Sequence, residues 1–154
     1  MIKQLSLSAR ALWISIPSAL AVICLVMMFF LNYEPPLFNP IATATVHAQK
    51  HHHKVVTGYA TTATLMEAVD VLLNKRGGYM SNDIMPPWVF LDNVPNWEFG
   101  VLTQVRDLGR AMRNDFSRSQ TQSTEDLDLS ETDQLFHYDN ERWFPPDTEG
   151  RYKK

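Results

Sequence analysis

The run ALWISIPSALAVICLVMMFFL, Ala11 to Leu31, holds 21 residues without a charge. At about 1.5 Å rise per residue it reaches roughly 30 Å, enough to cross the hydrocarbon core of a bilayer. It therefore predicts a transmembrane helix, with the anchor taken as residues 11–33. Pro17 lies in the first two turns, where a lost hydrogen bond is accommodated more easily than mid-helix. Trp13 and Tyr33 stand near the two ends, where amphipathic rings favour the interface. A cleaved signal peptide is the competing reading, but its apolar core usually runs only about 7 to 15 residues. The nearest cleavage-like triplet, Val46-His47-Ala48, lies well beyond the apolar run, so an uncleaved anchor is favoured.

The flanks orient it. Lys3, Arg10 and the amino terminus precede the span, while Glu34 follows it and no Lys appears before Lys50. The positive-inside bias keeps residues 1–10 in the cytoplasm as a tail and exports the rest. In a Gram-negative bacterium this makes an inner-membrane protein with residues 34–154 in the periplasm. The lone cysteine, Cys24, lies within the span, so no intrachain disulfide and no cysteine-based zinc site is possible. A net charge of −3 argues against a nucleic-acid partner, which would need a basic face.

Residues 34–54, with the prolines of EPPLFNP, read as an extended spacer holding the domain off the membrane. A helical domain is expected over 55–116. Its first helix should span about Gly58 to Lys75, on the spacing of Leu65, Val69 and Leu72, and stop at Gly77-Gly78. A proline-stiffened crossing follows, from Ser81 to Pro95. Asn96 is then the expected cap of a second helix, with Glu98 complementing its positive dipole end. In that helix Trp97, Val101, Val105, Leu108, Met112 and Phe116 occupy an arc of roughly 100°, while Arg106, Arg110 and Arg113 fall on the opposite, wetter side. Residues 117–154 read as an acidic polar loop followed by an aromatic tail without helical or strand rhythm. The expected fold class is mainly α: one N-terminal transmembrane helix, then an exported helical domain with long irregular loops. Two amphipathic helices share one seam but cannot close a core alone, so a partner, a second copy or more chain is expected to complete it.

The phrases VVTGYATTATLMEAVDVLL (Val55–Leu73), GGYMSNDIMPP (Gly77–Pro87), LDNVPNWEFGVLTQVRDLGRAMRNDFSRSQTQSTEDLDL (Leu91–Leu129) and FHYDNERWFP (Phe136–Pro145) carry a resemblance. The chain resembles the bacterial inner-membrane family catalogued as domain of unknown function 2333. The resemblance implies a membrane-anchored, mainly helical envelope protein and implies no activity. Family members continue past the position of Lys154, so it also implies a C-terminally truncated chain.

Three clusters are candidates for chemistry. His47, His51, His52 and His53 could ligate a transition metal, but a linker offers no scaffold to fix them, and a solvated juxtamembrane patch is the preferred reading. Asp83, Asp92 and Glu98, among Tyr79, Trp88, Phe90 and Trp97, could supply the two carboxylates of a glycan hydrolase; turn closure and helix capping account for them more simply. Arg106, Arg110 and Arg113 could hold an acidic partner or anionic lipid, against the simpler reading of a solvated helix face. No nucleophile elbow, phosphate-binding glycine loop, zinc-protease motif or dinucleotide fingerprint is present, so the sequence leans away from an enzyme and calls for no cofactor and no metal. The expected function is binding or scaffolding in the cell envelope, with peptidoglycan hydrolysis as the alternative. The expected partners are the lipid bilayer through 11–33 and an envelope protein or a second copy of the chain. The candidate contact residues are Trp88, Phe90, Asp92, Arg106, Arg110 and Arg113.

Overall fold

The computed structural model describes residues 2–116 and 126–154. It is mainly helical, and among the described residues there is no strand. The described residues form six α-helices in order: α1 (Ile2–Leu31), α2 (Pro40–Lys50), α3 (Tyr59–Asn74), α4 (Asn93–Ala111), α5 (Leu127–Phe136) and α6 (Thr148–Tyr152). A 3₁₀ turn at Trp88–Phe90 precedes α4, and a π turn at Met112–Phe116 prolongs it.

Among the described residues, α1 is the one helix long and apolar enough to cross a membrane, over Ala11–Leu31. Its side chains from Leu12 to Phe30 are largely exposed, with Trp13 at 80% and Phe29 at 82%. Over residues 11–31, only the last is buried in the fold. Leu31 is 8% exposed and forms a small apolar cluster with Met80 and Val94, against which Trp88 and Leu91 pack.

The expected extended spacer is not extended. Asn39 Oδ1 accepts from the Ile41 and Ala42 amides at 3.0 and 3.2 Å, Pro40 takes the first helical position, and α2 follows. An Asn cap before a proline whose φ is already helical is a strong start signal, and it outweighs the spacer reading of the prolines. Ala44 and Ala48 let α2 approach α3 closely.

Helix α3 starts at Tyr59, after Gly58 at φ +88°, and none of Thr57, Thr61 or Thr64 caps it. The Thr62 and Thr64 hydroxyls instead donate to the carbonyls of Gly58 and Ala60. Helix α4 begins at Asn93, three residues before the expected cap at Asn96. Its buried positions are Val94, Glu98, Leu102, Val105 and Gly109. This stripe is rotated away from the predicted one: Leu102 is fully buried, while Trp97, Val101 and Leu108 pack only at the core's edge.

The core is closed from within the chain. Leu65, Leu72 and Leu73 of α3 and Leu102 and Val105 of α4 are joined by Tyr79, Phe136 and Tyr152. The Tyr152 ring meets Tyr79 edge-on at 6.0 Å and Phe136 at 5.9 Å. The expected acidic loop therefore supplies most of α5, and the tail expected to lack rhythm supplies α6 and two core aromatics. Helix α5 is capped by Asp126, whose carboxylate accepts from the Asp128 and Leu129 amides. The first part of the expected acidic loop, residues 117–125, lies outside the described residues.

Candidate functional site

The polar centre of the domain is a pair that no sequence pattern announced, Lys75 and Glu98. Gly77 and Gly78, at φ +89° and +73°, reverse the chain after α3 and bring the 78–81 backbone over α4. Only glycine adopts these conformations readily. The Glu98 carboxylate then accepts from the Met80 amide (2.9 and 3.1 Å), the Ser81 amide (2.7 Å) and the Ser81 hydroxyl. The Lys75 ammonium donates to Glu98 and to the carbonyls of Leu72 (3.0 Å) and Gly78. The two side chains are 3% and 0% exposed. Burial pushes the Lys75 ammonium below its ordinary range, with Glu98 opposing that shift. Burial also raises Asp83, helped by Glu149 and Glu98, and raises the Tyr79 phenol. Every ligand position on this pair is taken by the protein, so it fixes the turn and offers nothing to a substrate.

The arginine row of α4 lies along the tail, with Arg106 and Arg113 half-buried and Arg110 still exposed. Arg106 Nε donates to Phe136 O at 2.6 Å, and Nη2 donates to Tyr138 O and the Tyr152 hydroxyl at 3.0 and 3.2 Å. Arg113 pairs with Asp133 at 2.8 Å, and Arg110 donates to His137 Nε2 at 2.6 Å. His137 Nδ1 lies 2.7 Å from Asp133 O, which assigns the proton to Nδ1. The expected wet face is therefore the seam that holds α5 and α6. No pairing signal for Arg106 stood in the sequence, because two of its acceptors are backbone carbonyls, which any residue supplies; Arg110 and Arg113 meet side chains, but 27 and 20 residues away.

The third feature is the junction with α1. Gly77 approaches Leu31 so closely that an added Cβ would stand 2.8 Å from Leu31 Cδ2. The Arg76 guanidinium lies over the Tyr33 ring at 5.0 Å. On the crossing, Trp88 is half-buried against Leu31, Phe90 is 64% exposed, and Asp92 is exposed at the start of α4. The candidate contacts thus separate into two places, with Trp88, Phe90 and Asp92 beside the anchor and the three arginines beneath the tail.

The family whose model matches is described as an uncharacterized protein conserved in bacteria (DUF2333), and it matches residues 6–154. The chain belongs to this family. No curated protein and no solved structure matches it.

The remaining sequence candidates fall as follows. His47, His51 and His53 do not lie in a free linker. They stack at ring separations of 6.4 and 6.0 Å along one wall of a cleft of about 540 Å³, whose other residues include Val56, Tyr59, Met66 and Met112. His47 also reaches Glu67 at 3.5 Å. Among the described residues no group of three or more His, Cys, Asp or Glu is placed to share a metal ion. A second, open groove of about 470 Å³ runs between α3 and α4, lined by Leu65, Ala68, Trp97, Gly100, Val101 and Leu108. It is the unfilled part of the stripe that sequence periodicity had assigned wholly to the core.

Proposed function

We propose that the chain is a single-pass inner-membrane protein whose periplasmic helical domain scaffolds partners in the cell envelope. The observation that carries this reading is the seating of Leu31. A segment meant to be cut away has no reason to be built into the fold, whereas an anchor fused to the core by Leu31, Met80, Val94 and Gly77 holds the domain at a fixed height above the membrane. Lys3 and Arg10 ahead of the span support an N-terminus in the cytoplasm. The open groove between α3 and α4 supports a protein contact, since apolar lining with small residues on its floor suits a helix.

Peptidoglycan hydrolysis is the weaker reading. It needs a second carboxylate within reach of the sugar beside Asp92, and Glu98 is fully buried under three donors and Lys75.

Two measurements test the proposal. In spheroplasts, the domain should be cut by external protease while the full-length chain stays with the membrane after alkaline extraction; release of a shortened soluble species would overturn the anchor. A photo-crosslinking residue at Val101 should give a discrete adduct at native expression. A chain that remains an unadducted monomer would overturn the scaffold.

A further inference from the structure

The crossing between α3 and α4 carries an uncharged run, Ile84 to Leu91, between Asp83 and Asp92. Four of its side chains stand out of the fold: Ile84 (60% exposed), Met85 (59%), Val89 (52%) and Phe90 (64%). A second exposed pair, Trp143 and Phe144, follows Arg142 on a loop 60 residues away in sequence. Asn82 Nδ2 donates to Arg142 O at 3.1 Å, which ties the two loops together. Exposed apolar groups gathered from separate loops call for an occupant.

We infer that this patch is a foot that rests in the interfacial layer of the bilayer, so that the domain contacts lipid at a second place beside its anchor. The inference rests on the reading of α1 as a membrane span. If Ala11–Leu31 fills a hydrocarbon core of about 30 Å, Leu31 marks its boundary. Trp88 and Leu91 pack against the cluster that holds Leu31, and so lie close to that boundary. Val89 and Phe90 sit between them in one 3₁₀ turn, whose rise is about 2 Å per residue. That leaves their Cα atoms within roughly 10 Å of the boundary, and the apolar faces of interfacial segments enter this layer to a depth of about 5–10 Å. Phe90 is a ring suited to that depth, and the run between Asp83 and Asp92 brings no charge into it.

The test uses the full chain in nanodiscs, with Cys24→Ser removing the only cysteine. An environment-sensitive fluorophore is attached in turn at Val89→Cys, Phe90→Cys, Val22→Cys in the span, and Asp107→Cys on the exposed side of α4. The Val89 and Phe90 probes should be quenched by nitroxide on shallow lipid positions and protected from aqueous iodide several-fold better than the Asp107 probe. Iodide quenching equal to that at Asp107 would overturn the inference by showing water at the patch. Protection from both quenchers would overturn it by showing a protein cover. The Val22 probe reports separately: no quenching by deep nitroxide there means that the span itself is misread.

Discussion

The Lys75–Glu98 pair gives the sharpest test of how this fold is held. Exposed ion pairs contribute about 0–1 kcal/mol, but these side chains are 3% and 0% exposed, so that range does not apply. Removing one partner leaves the other as an uncompensated buried charge, at a cost of about 3–5 kcal/mol. Glu98→Gln keeps the shape and one carbonyl oxygen for the Met80 and Ser81 amides but turns away from Lys75, and we expect it to fall in that range. Lys75→Met should cost a similar amount, because the carboxylate loses its cation. Natural domains have only about 5–15 kcal/mol in total, so either change brings the protein near its unfolding limit. The double variant should cost clearly less than the sum, by about 2 kcal/mol or more, since no unpaired charge remains. It will not be neutral, because one amide oxygen must serve the Met80 and Ser81 amides that two carboxylate oxygens served. Urea unfolding of the full chain in micelles, followed by tryptophan fluorescence, gives all four corners of the cycle from the midpoints at equal slope. Single variants that each lose less than about 1 kcal/mol and add without coupling would refute the reasoning, and would mean that solvent reaches the pair.

Three further outcomes are expected. Arg106→Ala should lose about 1–3 kcal/mol by stranding the Phe136 carbonyl and leaving the Tyr138 carbonyl only the Tyr152 hydroxyl, and Arg106→Lys should recover only part of it because an ammonium cannot span the fork; hydrogen exchange should quicken in 136–152 before α3. Gly77→Ala and Gly58→Ala share a left-handed backbone penalty of about 1 kcal/mol, but only Gly77 faces Leu31, so its melting temperature should drop further, and equal drops would remove the junction argument. Asp83→Asn should stabilise the protein at pH 7: burial raises the folded carboxyl above its ordinary 3.8, so Asp83 favours folding most when protonated and weakens it as pH rises through the folded value. The benefit of that substitution should fade as the medium is acidified below 3.8, and a constant benefit at all pH values would point to another cause.

How much of this was legible in the residues differs from element to element. Helices α3 and α4 showed themselves by spacing, since one-sided burial leaves a 3.6-residue trace. Helix α2 was legible in principle, through Asn39-Pro40, but the neighbouring prolines of the same stretch pointed the other way. Glu98 could have been suspected, because it lies one turn from Val94 and from Leu102 in a stripe otherwise apolar. Its partner could not, because Lys75 is 23 residues away and reaches it only once the Gly77-Gly78 reversal has formed. The arginine row was visible as a row, but not as a seam.

The sequence by itself determined the apolar span, the mainly helical class, the family and the place where the chain must turn. Each of these is a local property, written in runs, periods and glycines. Tertiary structure alone decided that Leu31 is a core residue, that the tail closes the domain, and that Glu98 and Arg106 are internal fasteners. Those roles depend on contacts 17 to 73 residues apart, and burial of a polar group becomes a stabilising choice only when its partners arrive with it.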